Sequence, residues 1–304
     1  MNDPTSYPSY SSLLADGRLE ARVEAAYARL EACDLCPRNC RVARVRGETG
    51  ICKGGILARV SSMGPHFGEE SPLVGQNGSG TIFFTGCSLG CSFCQNYDIS
   101  HCLDGREVSP RELAGMMLRL EDMGCHNINL VTPTHFVPQI MRAVSLAASD
   151  GLSLPLVYNC GGYDTVRTLR LLEGIVDIYM PDFKFWESAS GERYSNAPDY
   201  PQVAREALKE MQRQVGDLVI EGGLAFRGLL VRHLVMPAGN DESKQILGFI
   251  AREISHDAFV NVMDQYRPCH LADKFPEIAR QPAPAEFQEV LEAARAAGLV
   301  RIYT

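Results

Sequence analysis

From residue 81 onward the chain alternates short apolar runs with helical patterns, and this alternation limits its possible folds more than any other feature. The apolar runs predict six buried strands, at 81–85, 128–132, 154–158, 175–180, 229–236 and 258–263. Short connections through helices between such strands are typical of a parallel sheet with right-handed crossovers. The sequence therefore predicts an α/β fold, an incomplete (β/α)6 barrel rather than a closed barrel of eight units.

The predicted helices carry their own boundary signals. Ser109 offers an N-cap, Pro110 the first helical position, and Glu112 the acidic residue of a capping box. Further helices are predicted at about 200–214, 242–254 and 284–297, followed by an end strand at 299–303.

The first quarter of the chain has a different pattern. Residues 1–17 are rich in Ser, Tyr and Pro and predict a loose tail. An amphipathic helix with Leu19 and Val23 on its apolar face then leads into four cysteines, and residues 53–80 predict loops and short strands. We therefore divide the chain into the tail, a helix with a four-cysteine module at 18–75, and a partial barrel with a C-terminal helix at 76–304.

Composition narrows the choice of partners and compartment. The net charge of −8 and the pI near 5.4 argue against a nucleic acid or an anionic membrane as the partner. No apolar run approaches the ~20 residues of a membrane helix, and the start lacks the pattern of a secretory signal. The sequence therefore predicts a cytoplasmic protein, in which clustered cysteines bind metals rather than form disulfides.

Seven of the eleven cysteines form two tight groups. The second group, Cys87, Cys91 and Cys94, follows the first predicted strand directly (87–94, CSLGCSFC). Loops at the carboxyl ends of barrel strands carry function, and thiolates are the normal ligands of iron–sulfur clusters. Three ligands leave one iron of a [4Fe–4S] cluster open to an external chelator. A structural zinc ion, the alternative, prefers four protein ligands.

The spacing C-x3-C-x-aromatic-C after a first strand resembles the signature of the radical S-adenosylmethionine (radical SAM) superfamily. In that family the amino and carboxylate groups of SAM chelate the open iron. An electron from the reduced cluster then gives methionine and a 5′-deoxyadenosyl radical, which abstracts a hydrogen atom. The resemblance implies a [4Fe–4S] cluster, bound SAM, a low-potential electron donor of the flavodoxin or ferredoxin type, and a position for Phe93 near the adenine.

Later stretches resemble pyruvate formate-lyase activating enzyme and other glycyl-radical activases. Residues 180–184 (MPDFK) resemble their Met-x-Asp-x-Lys, which implies that Lys184 meets the SAM carboxylate and that Asp182 helps hold a monovalent cation. Side chains two residues apart on a strand share a face, so both can reach the barrel mouth. A solvated surface pair is the alternative. Asn159, after the third strand, stands where the activases have an aspartate.

Three further positions have open assignments. Arg232 lies in a stretch that resembles the Arg-containing fifth strand of the activases, and adjacent strand residues point to opposite faces, so either Arg232 or His233 points into the barrel. A buried ion pair is the alternative role. Thr134 and His135 stand where most radical SAM enzymes have a Gly-Gly-Glu-type segment, so Thr134 is a candidate SAM contact. Residues 66–70 predict a charged loop turn, with a cover over the barrel mouth as the alternative.

The first cysteine group has the spacing C-x2-C-x3-C-x11-C, formed by Cys33, Cys36, Cys40 and Cys52. Four thiolates can complete a tetrahedral zinc site or fully ligate a second iron–sulfur cluster. Activases with extra clusters carry them after the triplet, so that analogy does not transfer. The sequence leaves zinc and a second cluster open.

Three functional hypotheses follow. The most specific is an activase that abstracts a hydrogen atom from a backbone glycine of a glycyl radical enzyme. The second is a radical SAM enzyme that modifies a small molecule or a peptide. The third is a non-catalytic iron–sulfur electron-transfer or metal-binding protein, which needs neither an open iron nor a barrel.

Overall fold

The computed structural model describes residues 7–304, in which a ten-stranded sheet carries helices on its outer face. The strands are β1 (Ala58–His66), β2 (Ser79–Phe84), β3 (Arg106–Val108), β4 (Ile128–Val131), β5 (Leu156–Cys160), β6 (Ile178–Pro181), β7 (Val219–Glu221), β8 (Leu224–Leu234), β9 (Phe259–Met263) and β10 (Arg301–Tyr303).

The helices occupy most of the connections between strands. They are α1 (Tyr10–Ala15), α2 (Arg18–Ala28), α3 (Ser71–Val74), α4 (Tyr97–Ser100), α5 (Pro110–Asp122), α6 (Val137–Ser149), α7 (Val166–Leu172), α8 (Ser188–Ser195), α9 (Tyr200–Val215), α10 (Asn240–Phe249) and α11 (Pro284–Ala296). One π turn (Ile250–Ile254) extends α10, and short 3-10 turns lie at Arg44–Arg46, Thr134–Phe136, Ala272–Lys274 and Pro276–Ile278.

The six predicted strands are present and form the parallel series β2-β4-β5-β6-β8-β9. Their helical connections confirm the incomplete (β/α)6 barrel. The predicted capping box is also present: Glu112 N donates to Ser109 Oγ (3.2 Å), and Ser109 N donates to Glu112 Oε2 (2.8 Å). β8 starts five residues before the predicted strand because its first part pairs with β7 in a hairpin.

The sheet continues beyond the barrel at both edges. β1 pairs antiparallel with β2 and β3, and β10 pairs parallel with β9. β1 lies in the stretch predicted as loops and short strands, and it joins the sheet because alternate residues such as Ala58 and Val60 are buried. The last part of the predicted module at 18–75 therefore belongs to the same sheet as the barrel.

The predicted loose tail is wrong for the residues that the structure describes. Residues 1–6 lie outside them, whereas α1 packs onto the barrel through the buried side chain of Tyr10. The Tyr10 hydroxyl hydrogen-bonds the carbonyls of Leu152 (3.1 Å) and Leu154 (2.9 Å), and Ser9 N donates to Asp177 Oδ1 (2.9 Å). The tail prediction failed because composition alone does not show which Tyr or Ser becomes buried.

The helix before the cysteine module packs against the barrel as well. α2 lies on α6, where Arg142 forms ion pairs with Glu20 and Glu24. Beyond α2, Leu30, Cys33 and Leu35 form a small separate core. No helix within residues 7–304 is long and apolar enough to cross a membrane.

Candidate active site

A cleft of about 260 Å³ lies at the carboxyl ends of the parallel strands. All the predicted site residues of the barrel except Thr134 border it, namely Cys87, Cys91, Phe93, Cys94, Asn159, Asp182, Lys184 and Arg232. These residues come from the ends of three strands, β5, β6 and β8, and from the loop after β2. The structure therefore brings together side chains that are far apart in the sequence. Cys87 and Arg232 both border the cleft and are separated by 145 residues.

The three cysteines of the loop after β2 face this cleft, and each sulfur has one hydrogen-bonding neighbour. Leu89 N lies 3.3 Å from Cys87 Sγ, Ser195 Oγ lies 3.2 Å from Cys91 Sγ, and Ser100 Oγ lies 3.2 Å from Cys94 Sγ. We call residues 85–94 the cluster loop. Cys160, at the end of β5, also borders the cleft, and burial raises the pKa of its thiol well above the ordinary value.

Burial raises the pKa of the Cys87 thiol, and it raises the pKa of the Cys91 thiol to about 12. Three soft sulfur donors at one wall of a cleft are the donor set of an iron–sulfur cluster with one open iron, and metal binding displaces the thiol protons. The residues present therefore fit a [4Fe–4S] cluster.

A buried charge network forms the opposite wall of the cleft. Asp182 accepts hydrogen bonds from Lys184 Nζ (2.6 Å) and Arg232 Nε (2.8 Å), and Arg232 Nη2 also donates to Asn159 Oδ1 (2.7 Å). The side chains of Asp182 and Lys184 are each only 17% exposed, so the alternative of a solvated surface pair is wrong.

The network fixes the charges of its members. Burial alone would raise the pKa of Asp182, but Arg232 and Lys184 lower it to about 2. Burial alone would lower the pKa of Lys184, but Asp182 raises it above its usual value. Asp182 is therefore a carboxylate and Lys184 an ammonium at neutral pH.

The choice between Arg232 and His233 is settled by β8. Arg232 points into the barrel, and His233 points toward α10, where its ring nitrogens hydrogen-bond Phe183 O (2.7 Å) and Ser243 Oγ (2.8 Å). Burial lowers the pKa of His233, so its ring is neutral at pH 7. Arg232 makes the ion pair that was the alternative role, and it also lies at the cleft.

The charged segment at residues 66–70 does not form a solvated turn throughout. Glu69 lies 3.4 Å from Arg232 Nη1, and Glu70 Oε1 accepts a hydrogen bond from Asn261 Nδ2 (2.7 Å). Both carboxylates are buried, with the Glu69 side chain 8% exposed and Glu70 3% exposed. Residues 67–70 do form a loop, as predicted, but these two carboxylates are buried, where Glu69 pairs with Arg232 and Glu70 with Asn261.

The loops after β5 and β6 hold Lys184 in place. Lys184 N donates to the Tyr200 hydroxyl (2.8 Å), which lies 3.0 Å from the carbonyls of both Gly161 and Asp182. Gly162 has φ +73°, and a β-carbon there would lie 2.4 Å from the Asp182 carbonyl oxygen. Only glycine allows the two loops to approach this closely.

Phe93 packs in the hydrophobic core next to the last cysteine of the loop. Its ring meets those of Phe185 and Tyr194 edge-to-face, with centroids 6.0 and 6.3 Å apart. These contacts hold the end of the cluster loop, while the residue still borders the cleft. An adenine contact for Phe93 stays a prediction.

The expected SAM contact from Thr134 does not fit the structure. Thr134 is buried and does not border the cleft, whereas Thr132, with φ +59°, borders it. His135 is fully buried, and its Nε2 hydrogen-bonds Thr85 O (2.8 Å). Burial lowers the pKa of His135 to about 4, so the ring is neutral at pH 7. The 3-10 turn at Thr134–Phe136 turns both side chains away from the cleft.

The four-cysteine module lies beside the cluster loop. Cys33, Cys36 and Cys52 are buried and Cys40 is half-buried. Burial raises the pKa of Cys36 to about 12, and the neighbouring Cys52 adds to the shift. Arg44 is fully buried and donates to Cys52 Sγ (3.3 Å). A buried guanidinium stabilises a thiolate. Within residues 7–304 no group of three or more His, Cys, Asp or Glu side chains is already arranged around a single metal ion, so a zinc ion or a second cluster at these cysteines stays a prediction.

Sequence reasoning missed two residues that contact the cluster loop. Arg38 donates to the backbone carbonyls of Ser88 and Ser195, and the Ser195 hydroxyl lies next to Cys91 Sγ. The only signal for Arg38 was its place between Cys36 and Cys40, and Ser195 had no signal because its partner is 104 residues away.

Comparisons with known proteins identify the family of this chain. Residues 81–250 match the family model described as the Radical SAM superfamily. The uncharacterized protein MJ0674 of Methanocaldococcus jannaschii is 34% identical over 298 residues, which cover 94% of this chain and 80% of that protein. The chain therefore belongs to the radical SAM superfamily, whose members are enzymes that use a [4Fe–4S] cluster and SAM.

One solved structure is also similar. Streptococcus suis SuiB, in a crystal structure bound to the precursor peptide SuiA, aligns with a TM-score of 0.47 at 12% identity. The alignment covers 69% of this chain and 43% of the SuiB chain, so the chain spans less than half the length of that protein.

Proposed function

We propose that Cys87, Cys91 and Cys94 hold the cluster of this radical SAM enzyme and that the facing charge network binds SAM. The observation that carries the proposal is the convergence of three thiols and the buried Lys184–Asp182 pair on one cleft. A lysine that is fixed and charged is suited to bind a carboxylate, and SAM has one at its methionyl end.

The residues around the cleft have distinct roles in this proposal. Lys184 binds the SAM carboxylate, and Asp182 keeps Lys184 charged and fixed. Arg232 holds Asp182 in place, and Asn159 in turn holds Arg232. Phe93 supports the last turn of the cluster loop beside the adenine. When bound and reduced, the cluster supplies the electron that cleaves SAM into methionine and a 5′-deoxyadenosyl radical, which abstracts a hydrogen atom from the substrate.

For the substrate, we propose a backbone glycine of a partner enzyme, with a flavodoxin or ferredoxin as the electron donor. The segment that resembles the activases, 180–184, ends at the cleft and supplies Asp182 and Lys184. The rim of the cleft includes exposed residues, Gln95 and Asn96, which leaves access for a loop of a large partner.

A small molecule or a peptide is the second candidate substrate, and one observation favours it. Glu69 contacts Arg232 where that arginine borders the cleft. Arg232 is therefore a charged group at the cleft that can bind a polar group of a substrate, and a backbone glycine has no side chain to use it.

The test is 5′-deoxyadenosine formation by anaerobically reconstituted protein supplied with SAM and dithionite. We expect product from the wild type and none from the Cys87→Ala/Cys91→Ala/Cys94→Ala variant. Cys102→Ala is the matched control, because Cys102 is the exposed cysteine just beyond the loop. A wild-type protein that binds neither a cluster nor SAM would refute the proposal.

The two substrate classes give different results in the same assay. An activase produces a glycyl radical signal in the electron paramagnetic resonance spectrum of an added partner enzyme. An enzyme for small molecules or peptides increases 5′-deoxyadenosine without any partner protein. If a panel of metabolites stimulates turnover and glycyl radical enzymes do not, the activase proposal fails.

A further inference from the structure

Arg38, in the loop between Cys36 and Cys40, connects the four-cysteine module to the cluster loop. Its Nε donates to Ser88 O (2.8 Å) and its Nη2 to Leu89 O (3.2 Å), both in the loop between the first two cluster cysteines. Its Nη2 also donates to Ser195 O (2.7 Å), and its Nη1 to Asn196 O. One guanidinium therefore joins the four-cysteine module, the cluster loop and the end of α8.

The contacts of Arg38 reach a cluster cysteine through one further residue. Ser195, whose carbonyl accepts from Arg38, places its hydroxyl 3.2 Å from Cys91 Sγ. The Arg38 guanidinium also lies over the ring of Tyr163, 5.3 Å from its centroid, which limits its movement. Loss of Arg38 would leave carbonyls of the cluster loop without their charged donor.

A second connection runs through Arg44. Its Nη2 contacts Cys52 Sγ (3.3 Å), and its Nη1 donates to His135 O (2.6 Å). The ring of His135 in turn hydrogen-bonds Thr85 O at the start of the cluster loop. Gly86, with φ +78°, lies against the same cysteine: a β-carbon there would lie 2.2 Å from Cys52 O. The module and the cluster loop are therefore in direct backbone contact.

The module can keep Arg38 in place only if its own short loop is fixed. Asn39 and Arg41 have φ values of +42° and +57°, a region that residues other than glycine enter at an energetic cost. A metal bound by Cys36 and Cys40 on either side of Arg38 would fix this loop from both ends. The basis for expecting such a metal is that Cys33, Cys40 and Cys52 all lie close enough to Cys36 to raise the pKa of its thiol.

We propose that the metal-loaded four-cysteine module is a structural support for the catalytic cluster and that Arg38 is its positioning residue. The module fixes Arg38, Arg38 fixes the carbonyls of Ser88 and Leu89, and the cluster loop is thereby held in the conformation that binds iron. The inference rests on the proposed cluster at Cys87, Cys91 and Cys94, and it applies whether the module holds zinc or a second cluster.

The test compares Arg38→Gln, Arg38→Lys and the control Arg46→Gln, because Arg46 lies in the same module with its side chain 71% exposed. Iron, sulfide and zinc per chain establish that each variant keeps the module metal. The electron paramagnetic resonance signal of the catalytic cluster measures how fast a chelator removes that cluster. SAM identifies the signal, since only a cluster with an open iron responds to SAM. Loss of the charged donor predicts about tenfold faster release from Arg38→Gln.

Arg38→Lys keeps the charge but not the forked geometry, so we expect an intermediate release rate, and Arg46→Gln should match the wild type. Cys36→Ser is the second variant. It removes the module metal without substituting any residue of the cluster loop, and it should also release the catalytic cluster faster. Equal release rates for wild type, Arg38→Gln and Cys36→Ser would overturn the inference. A wild type without a SAM-responsive cluster would instead refute the proposed function.

Discussion

The two cysteine groups lie against each other but have different surroundings. The cluster loop faces a cleft, with Cys87 and Cys94 half-buried and the charge network of Lys184 opposite. In the four-cysteine module, three thiols are buried and the nearest cation, Arg44, is itself fully buried. We therefore expect the first group to be a reactive site with room for an external ligand and the second to be a closed structural site.

The largest expected effect separates the two groups by stability. Cys33→Ser should remove the module metal and lower the melting temperature by about 10 °C, since a structural metal contributes several kcal/mol and each kcal/mol moves the midpoint by a few degrees. Cys33 also belongs to the small core with Leu30 and Leu35.

Cys87→Ser is the matched variant and should lower the melting temperature by much less, because Cys87 is half-buried at a cleft. Differential scanning fluorimetry under anaerobic conditions measures both variants. If the Cys87 variant is the less stable of the two, the contrast between a reactive and a structural group is wrong.

The next effect concerns the charge network of the cleft. Lys184→Met should weaken SAM binding at least about tenfold, because it removes a charged hydrogen-bond donor to the SAM carboxylate. Isothermal titration calorimetry of the reconstituted protein measures the affinity.

Two controls accompany the lysine variant. Lys184→Arg keeps the positive charge and should bind SAM more tightly than Lys184→Met. Lys244→Met removes a lysine that pairs with Glu289 on the surface, 2.5 Å apart, and should leave SAM affinity unchanged. Wild-type affinity in Lys184→Met would exclude Lys184 from the SAM site.

The smallest effect lies outside both cysteine groups and tests the barrel itself. Burial raises the pKa of Asp177 to about 6, above its value of about 4 in an unfolded chain. The folded state therefore binds more protons than the unfolded state between these values, so Asp177 favours folding at low pH and its contribution is lost as pH rises from about 4 to about 6. The slope is at most about 1.4 kcal/mol per pH unit.

Asp177→Asn should flatten this part of the stability profile, which urea unfolding at a series of pH values measures. The difference between wild type and variant isolates Asp177 from the cysteines, since neither group contacts it: its hydrogen bonds come from Ser9 N and Leu156 N. An unchanged profile would show that Asp177 is ionised in the folded protein at pH 5.

Much of the fold could be predicted because its signals are local. Apolar runs gave the six parallel strands, and Ser109 with Glu112 gave the start of α5. The cluster triplet was identified from its spacing and from its place after a strand. Packing gave no such local signal: α1 lies in a segment predicted as a tail, and Thr134 turns into the core from a position that suggested a SAM contact.

The sequence by itself determined the six parallel strands, the superfamily and the residues with metal-binding chemistry, because periodicity and cysteine spacing act over a few residues. Only the tertiary structure decided that Arg232 rather than His233 faces the cleft, that Glu69 is buried beside it, and that Arg38 reaches the cluster loop. The physical reason is that these contacts join segments far apart in the chain, such as Arg38 and Ser195, which are separated by 157 residues. Their geometry is fixed only when the sheet brings the strand ends together.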